Sequence, residues 1–225
     1  MSDDRPILFS APMVRAILAR QKTVTRRVVK PAAGEQSRWL TSELLASSPS
    51  AVVCSNGTGI LGAQMEHPKG GPLAWVRCPY DSEGNRLWVR ETWRLGGDGV
   101  FWYAADMRDW QIARAHPWRP SIHMPRRASR LSLDVASVGV QRLHDITDAD
   151  AEREGICGWS KDGVLFKYGP ADDEGDGPIW PWRDCPRTPR DAFIRLWAEI
   201  NGQASWDANP WVWRVEFARV EVSRA

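Results

Sequence analysis

The sequence predicts a mainly β protein of the α+β class, folded as one domain around a small β-barrel with a few short helices. Alternating apolar and polar residues recur along the chain, most clearly at Arg86–Trp93 and Trp211–Phe217. Helical periodicity is confined to short segments. A length of 225 residues fits a single core, and the 14 Trp provide large apolar side chains to fill it.

The N-terminal part of the chain predicts a short helix and then a strand. Ser10 is placed to cap a helix whose apolar residues, at positions 11, 14, 17 and 18, fall on one face. This helix should end near Arg20 or Gln21. The segment Lys22–Val29 is rich in β-branched residues and predicts a turn that leads into a strand, which Pro31 ends.

Further strands follow in the middle of the chain. Residues 100–104 predict a neighbour for the strand at Arg86–Trp93. The run Arg130–Val140 places Leu131, Leu133 and Val135 on one face, and its apolar phase then shifts, which predicts a β-bulge.

Two more helices are predicted from their capping residues. Thr147 can cap a helix that ends at Glu154, with Gly155 as the stop. Thr188 followed by Pro189 has the form of an N-cap with Pro at the first helical position, and this helix should bury the apolar residues Phe193, Leu196, Trp197 and Ile200.

Two segments predict long insertions into the single domain. Residues from about 32 to 73 and from about 157 to 187 are rich in Gly, Pro and polar residues and lack a periodic apolar face. We therefore expect both segments to be peripheral loops.

Composition argues against a metal site, a cofactor and a membrane span. The four Cys and four His show no metal-ligand spacing, and the Cys show no disulfide pattern. The N-terminal apolar stretch is short and is interrupted by Arg15, so no signal peptide or spanning helix is predicted. We expect a cytoplasmic protein with reduced thiols.

Charge is distributed unevenly, although the formal net charge is only +2. No acidic residue lies between Asp4 and Glu35, whereas seven Lys and Arg do. This asymmetry favours a phosphate-bearing or otherwise anionic partner, and a solvated basic face is the alternative.

The basic run contains residue types suited to acyl chemistry. Lys22, Thr25 and Arg27 can supply a base, a hydroxyl and an anion clamp. Burial and positive neighbours lower a lysine pKa, which makes a neutral amine base accessible. On a straight strand Lys22 and Thr25 point to opposite faces, so they converge only if the chain turns near Lys22–Val24. On an exposed strand end they would have no chemical role.

The opening of the chain resembles the ASCH domain family, which has a PUA-like β-barrel. Pro6–Ser10 and Ile17–Arg27 carry the resemblance, and the family motif G-x-K-x-x-x-x-R is met at Lys22 and Arg27, with Arg20 at the glycine position.

Later segments extend this resemblance to most of the chain outside the two insertions. Gly84–Trp93 is similar to the family's G-D-x-L-W-V-R-E-x-W strand, with Asn85 in place of the Asp. Trp118–Arg126 and Ser205–Trp213 resemble segments of phage and prophage members. The resemblance implies a PUA-like barrel.

Small bacterial members that resemble this chain are N4-acetylcytidine amidohydrolases with a catalytic Lys, a Thr three residues later and a Glu on a later short helix. Lys22 and Thr25 match the first two, and Glu154 takes the place of the third. The resemblance implies that Lys22 activates Thr25 or a water for attack on an acyl carbonyl, and that Glu154 protonates the leaving cytosine amine. The alternative is a Glu154 that faces solvent.

The implied partner is a modified cytosine nucleoside or nucleotide, or RNA. Arg27, Glu91, Trp93 and His123 are the expected substrate-binding residues, through anion, amine and stacking contacts. Their structural alternatives are an ion pair for Glu91, a core position for Trp93 and a backbone hydrogen bond for His123. Two other functions stay open: a non-catalytic module that binds RNA or a modified base, and a ribonuclease.

Overall fold

The computed structural model describes residues 4–30, 51–55, 61–65, 74–80, 85–107, 117–171 and 177–220, and this part of the chain is mainly β with four short helices. The strands are β1 (Arg5–Leu8), β2 (Val24–Val28), β3 (Ala51–Ser55), β4 (Leu61–Met65), β5 (Ala74–Arg77), β6 (Arg86–Arg90), β7 (Trp93–Leu95), β8 (Phe101–Tyr103), β9 (Ser132–Arg142), β10 (Ile156–Ser160), β11 (Phe166–Pro170) and β12 (Trp211–Arg219). The helices are α1 (Ala11–Leu18), α2 (Asp148–Arg153), α3 (Pro189–Asn201) and α4 (Gln203–Asp207).

The main sheet has five strands in the order β1-β6-β9-β12-β2. β1 pairs with β6 in parallel, and the other three pairings are antiparallel. β1 and β2 are its edges, so the described strands form an open sheet rather than a closed barrel. This confirms the mainly β, α+β class. The position of β2 at an edge leaves its residues accessible to the helices.

The predicted bulge lies in β9. Phe217 pairs with Val135 whereas the preceding Glu216 pairs with Ser137, so Ala136 is the extra residue on β9. The bulge restores the inward phase, because Val138 then packs against the same core as Val135. The expected pairing of the segment after Arg86–Trp93 with residues 100–104 is also confirmed, by β7 and β8.

Local capping chemistry explains where the helices begin. The Thr147 hydroxyl accepts a hydrogen bond from the Asp150 amide at the start of α2, and the Thr188 hydroxyl accepts one from the Asp191 amide at the start of α3. Ser10 is the N-cap of α1 by its backbone, without a side-chain cap. The three helices predicted from sequence are thus confirmed.

The first predicted insertion contributes to the core, which corrects its assignment as a peripheral loop. Within residues 32–73, β3 and β4 join β5 in a three-stranded antiparallel sheet. Ala63 and Met65 are buried with Val76 in the main core, beside β1 and α1 residues. Weak alternation hid these strands, since their apolar partners come from elsewhere in the chain. Residues 31–50, 56–60 and 66–73 lie outside the described residues.

The second predicted insertion is also structured. β10 and β11 form a hairpin, and Trp180 and Cys185 belong to a second core cluster with α3 residues Phe193 and Trp197. The expectation of an irregular loop over residues 157–187 was therefore wrong for the described part, because Gly and Pro here mark a hairpin and its return. Residues 172–176 lie outside that part.

Trp side chains fill much of the interior, as the composition favoured. Those with a buried side chain are Trp88, Trp93, Trp180, Trp197, Trp206 and Trp213. Cys78, Cys157 and Cys185 are free thiols. No helix of the described residues is long and apolar enough to cross a bilayer.

Candidate active site

A cavity of about 590 Å³ opens beside edge strand β2. Residues from β2, from the end of α2 and from the second half of α3 line it, together with residues of β1, α1, β5 and β12. Its volume lies within the range of pockets that bind small molecules. Thr25, Arg27 and Glu154, all expected from sequence to be functional, are among the lining residues.

The turn after α1 places Lys22 beneath the cavity. The amides of Arg20 and Gln21 donate to the carbonyls of Ile17 and Ala16, a Schellman motif that ends the helix. Arg20 has φ of 60°, the left-handed conformation that glycine adopts readily. The family's glycine position is thus a helix C-cap position. The chain bends there and enters β2 only at Val24, which meets the condition for Lys22 and Thr25 to converge.

The end of α2 reaches the same turn. Glu154 is the C-cap of α2, and Gly155 follows with φ of +97°. The Thr23 amide donates to the Arg153 carbonyl, and the Lys22 ammonium donates to the Glu154 carbonyl at 2.8 Å. The turn therefore caps the C-terminus of α2, where a cation is also favoured by the helix dipole.

Lys22 is buried and donates three hydrogen bonds. Its Nζ lies 2.6 Å from Glu154 Oε2, 2.8 Å from the Glu154 carbonyl and 2.9 Å from the Val24 carbonyl. Three acceptors use all three protons of an ammonium group. Burial nevertheless lowers the pKa of Lys22 from its usual 10.5, against the raising effect of Glu154, and the charges of Arg27 and Arg26 add to the lowering.

Arg26 joins the second oxygen of Glu154 to a further carboxylate. Its Nη1 donates to Glu154 Oε1 at 3.1 Å, and its Nη2 lies 3.0 Å from Asp150 Oδ2, close enough for an ion pair but without hydrogen-bond alignment. Although partial burial acts to raise the pKa of Asp150, the charges of Arg26 and Arg214 lower it. Lys22 and Arg26 thus hold Glu154 from both sides, and Glu154 does not face solvent, being 5% exposed.

Thr25 and Arg27 occupy the wall above this cluster. Thr25 is buried and pairs with Val215 of β12, and its side chain lines the cavity. Arg27 stacks over the Phe9 ring, and its Nη2 donates to the Leu8 carbonyl. Both side chains are therefore held by the sheet at the cavity surface.

An apolar wall was missed by the sequence analysis. Leu196, Trp197 and Ile200 of α3 line the cavity. Ile200 is 54% exposed, so its assignment to the core was wrong. Helical periodicity indicates that these residues share a face, but it does not distinguish a face that packs on a core from one that borders a cavity.

Glu91, Trp93 and His123 are not among the residues that line this cavity. Glu91 is buried in a two-hydrogen-bond pair with Arg130, and Trp93 is buried in a separate cluster with Met124. His123 is exposed. The structure thus brings together Lys22, Thr25, Glu154 and Arg27, and leaves the other three expected residues elsewhere.

Comparison of the chain with protein-family models, with curated proteins and with solved structures gave no match. Among the described residues, no group of three or more His, Cys, Asp and Glu side chains has the arrangement of a metal site.

Proposed function

We propose that the chain is an ASCH-type amidohydrolase that removes an acyl group from the N4 amine of an acylated cytosine. The observation that supports it is the 2.6 Å contact between Lys22 and Glu154, two residues 132 positions apart, at a cavity that Thr25 also lines. The PUA-like barrel belongs to the same proposal, because the described strands form an open sheet.

The hydrogen bonds favour Glu154 as the group that reaches the ligand. Glu154 lines the cavity, whereas Lys22 is not among its lining residues and lies behind the carboxylate. A lysine that donates to three acceptors is protonated, so it is placed to hold a proton for Glu154 rather than to take one from water. This division of roles differs from the one that the family resemblance implies.

The chemical step balances with these groups and one water. The Glu154 carboxylate accepts a proton from the water as its oxygen attacks the acyl carbon, and a tetrahedral intermediate forms. The C–N bond then breaks, and Glu154 returns the proton to the cytosine amine. Lys22 and Arg26 stabilise the carboxylate at the start and the end of the cycle. The Thr25 hydroxyl is placed to orient the water or the acyl oxygen.

A non-catalytic module that binds a modified base is the second candidate. It is favoured by the complete hydrogen bonding of Lys22, which is also what a structural ion pair shows. Both candidates use the same cavity, and only turnover separates them.

Acetate release from N4-acetylcytidine tests the proposal. We expect turnover by the wild type and a loss of about 10²- to 10⁴-fold in Glu154→Gln, the range for removal of a positioned acid or base. Thr25→Val should lose less, because the hydroxyl orients a reactant without transferring the proton.

Matched controls come from the other side of the fold. Lys167 donates to the Trp182 and Arg183 carbonyls, and Glu199 pairs with Arg195, so Lys167→Met and Glu199→Gln change the same residue types outside the cavity. Both controls should retain wild-type rates. A wild-type protein that binds the nucleoside without releasing acetate would support the binding module instead.

A further inference from the structure

Positive charge dominates the cavity that the proposed reaction uses. Its basic lining residues are Arg5, Arg26, Arg27, Lys30 and Arg77, and Glu154 is the acidic residue among the described residues that line it. An uncharged nucleoside makes no use of such a surplus. An anionic group on the ligand does, because charge-assisted hydrogen bonds are stronger than neutral ones.

The surplus survives when the buried cluster is counted. Lys22 and Arg26 contribute two positive charges, and Glu154 and Asp150 contribute two negative charges in contact with them. This cluster is therefore neutral. The remaining lining cations, on β1, β2, β5 and just after β2, have no carboxylate beside them in the cavity lining.

Two of these cations are held in place by the backbone. Arg5 Nη1 donates to the Pro79 carbonyl at 3.1 Å, and Arg27 Nη2 donates to the Leu8 carbonyl at 2.6 Å. Arg27 Nε is buried and makes no hydrogen bond within the described residues. An arginine with one anchored nitrogen and others uncommitted is suited to a phosphate, which it can contact through two parallel N–H groups.

The other lining residues fit the rest of a nucleotide. Leu196, Trp197 and Ile200 give one apolar wall, and Tyr80 adds an aromatic ring. Burial raises the pKa of Tyr80, so its hydroxyl keeps its proton and remains a donor. Apolar and aromatic walls accept a pyrimidine ring, and the basic residues accept its anionic substituent.

We propose that the ligand of this cavity is a phosphorylated pyrimidine, with its phosphate held by Arg27 together with Arg5, Lys30 and Arg77. The base and its acyl group follow from the proposed function, whereas the phosphate follows from the charges of the lining. The same chemistry is present in a free nucleoside monophosphate and in a nucleotide residue of an RNA chain.

Calorimetric binding at about 0.1 M salt compares cytidine, cytidine 5′-monophosphate and a short cytidine-containing RNA. We expect the monophosphate to bind about tenfold tighter than the nucleoside, or better, with the difference shrinking as salt is raised. The double variant Arg5→Gln/Arg77→Gln should lose this difference and keep its affinity for cytidine. The control Arg183→Gln/Arg187→Gln removes two exposed arginines outside the cavity lining and should keep the difference.

Equal affinities for cytidine and its monophosphate, or a difference that survives in Arg5→Gln/Arg77→Gln, would overturn the inference. RNA that binds tighter than the monophosphate identifies a nucleotide within a chain as the ligand, and RNA that binds no tighter identifies the free nucleotide.

Acetate release from N4-acetylcytidine and from its 5′-monophosphate, measured in parallel, separates the two proposals. Tighter monophosphate binding without hydrolysis of either compound would reject the amidohydrolase and support the phosphate site. Equal kcat/KM for both compounds would support the amidohydrolase and reject the phosphate site.

Discussion

Glu91 and Glu154 are two buried carboxylates with different surroundings. Glu91 accepts from Nε and Nη2 of Arg130 at 2.9 and 3.0 Å, and Arg130 also pairs with Asp106. Glu154 accepts from Lys22 and Arg26. Burial and ion pairing are thus common to both.

Access and the type of cation separate the two carboxylates. Glu154 lines the 590 Å³ cavity, whereas Glu91 does not. Burial acts to lower the pKa of Arg130, but its hydrogen bonds to Glu91 and Asp106 raise it, so this cation keeps its proton. Lys22 has a lowered pKa and can release its proton. A buried ion pair therefore indicates a reactive site only when one partner meets a cavity and the other can titrate.

Exchanging each carboxylate for its amide gives the largest expected effects, in opposite observables. Glu154→Gln should lower the rate of acetate release by about 10³-fold, since the amide cannot accept the water proton. Glu91→Gln should leave that rate within about threefold. The measurement is steady-state kinetics at a temperature at which thermal denaturation shows both variants folded.

Stability should show the reverse order for Glu91. Breaking a buried pair costs about 3–5 kcal/mol, and Arg130 is 26% exposed and retains Asp106, so we expect a loss of about 2–3 kcal/mol for Glu91→Gln. Asp134→Asn breaks an exposed pair with Arg86 and should cost less than about 1 kcal/mol. A Glu91→Gln variant that is folded but inactive would remove the distinction between the two carboxylates.

Sequence predicted the local parts of this structure and missed those that depend on distant partners. The caps at Thr147 and Thr188 and the bulge near Val135 follow from side chains within a few residues of one another. β3 and β4 were missed, because their burial against β5 and the main core has no local signal.

The candidate site shows the same division. That Lys22 lies beneath Glu154 follows from no periodicity, since 132 residues separate them, and it was expected only through the family resemblance. Arg26 was part of a basic run in the sequence, yet its side chain is fully buried between Glu154 and Asp150. Glu91 and Trp93 were expected at the cavity because a strand pattern does not say which sheet face borders it.

Alkaline pH should affect the Lys22 site and leave the Arg130 pair unchanged. Because the three hydrogen bonds of Lys22 require the ammonium, kcat should fall about tenfold per pH unit above the pKa of Lys22, which lies below 10.5. Glu91→Gln should show the same alkaline limb. A rate that rises through this titration would restore the neutral amine as the base.

Unfolding driven by Lys22 does not explain such a fall. A lysine whose pKa is lower in the folded protein than in the unfolded chain makes the protein more stable as pH rises between the two values. Circular dichroism across the same pH range separates loss of fold from loss of rate.

A methyl group at Gly155 should disturb the Lys22 site by contact. A Cβ there would lie 3.0 Å from Ala16 Cβ and 3.3 Å from Lys22 Cβ, and φ is +97°. We expect Gly155→Ala to cost about 2 kcal/mol, from the left-handed backbone and the tight contact together. Gly163 has φ of +74° with nothing within 4 Å, so Gly163→Ala isolates the backbone effect at about 1 kcal/mol. Equal losses in the two variants would show that Lys22 and Ala16 yield freely.

Arg20→Gly should give the smallest effect. Arg20 occupies the C′ position of the Schellman motif with φ of 60°, where a side chain costs about 1 kcal/mol and glycine costs little. Glycine also raises the entropy of the unfolded chain, which offsets part of the gain, so we expect a change below about 1 kcal/mol in the free energy of unfolding. Because the backbone hydrogen bonds from residues 20 and 21 fix the turn with either residue, the rate of acetate release should stay within about twofold of the wild type. A large rise in rate would mean that Arg20 restrains the turn beneath Lys22, and that the two carboxylates differ in backbone freedom as well as in access and in the type of cation.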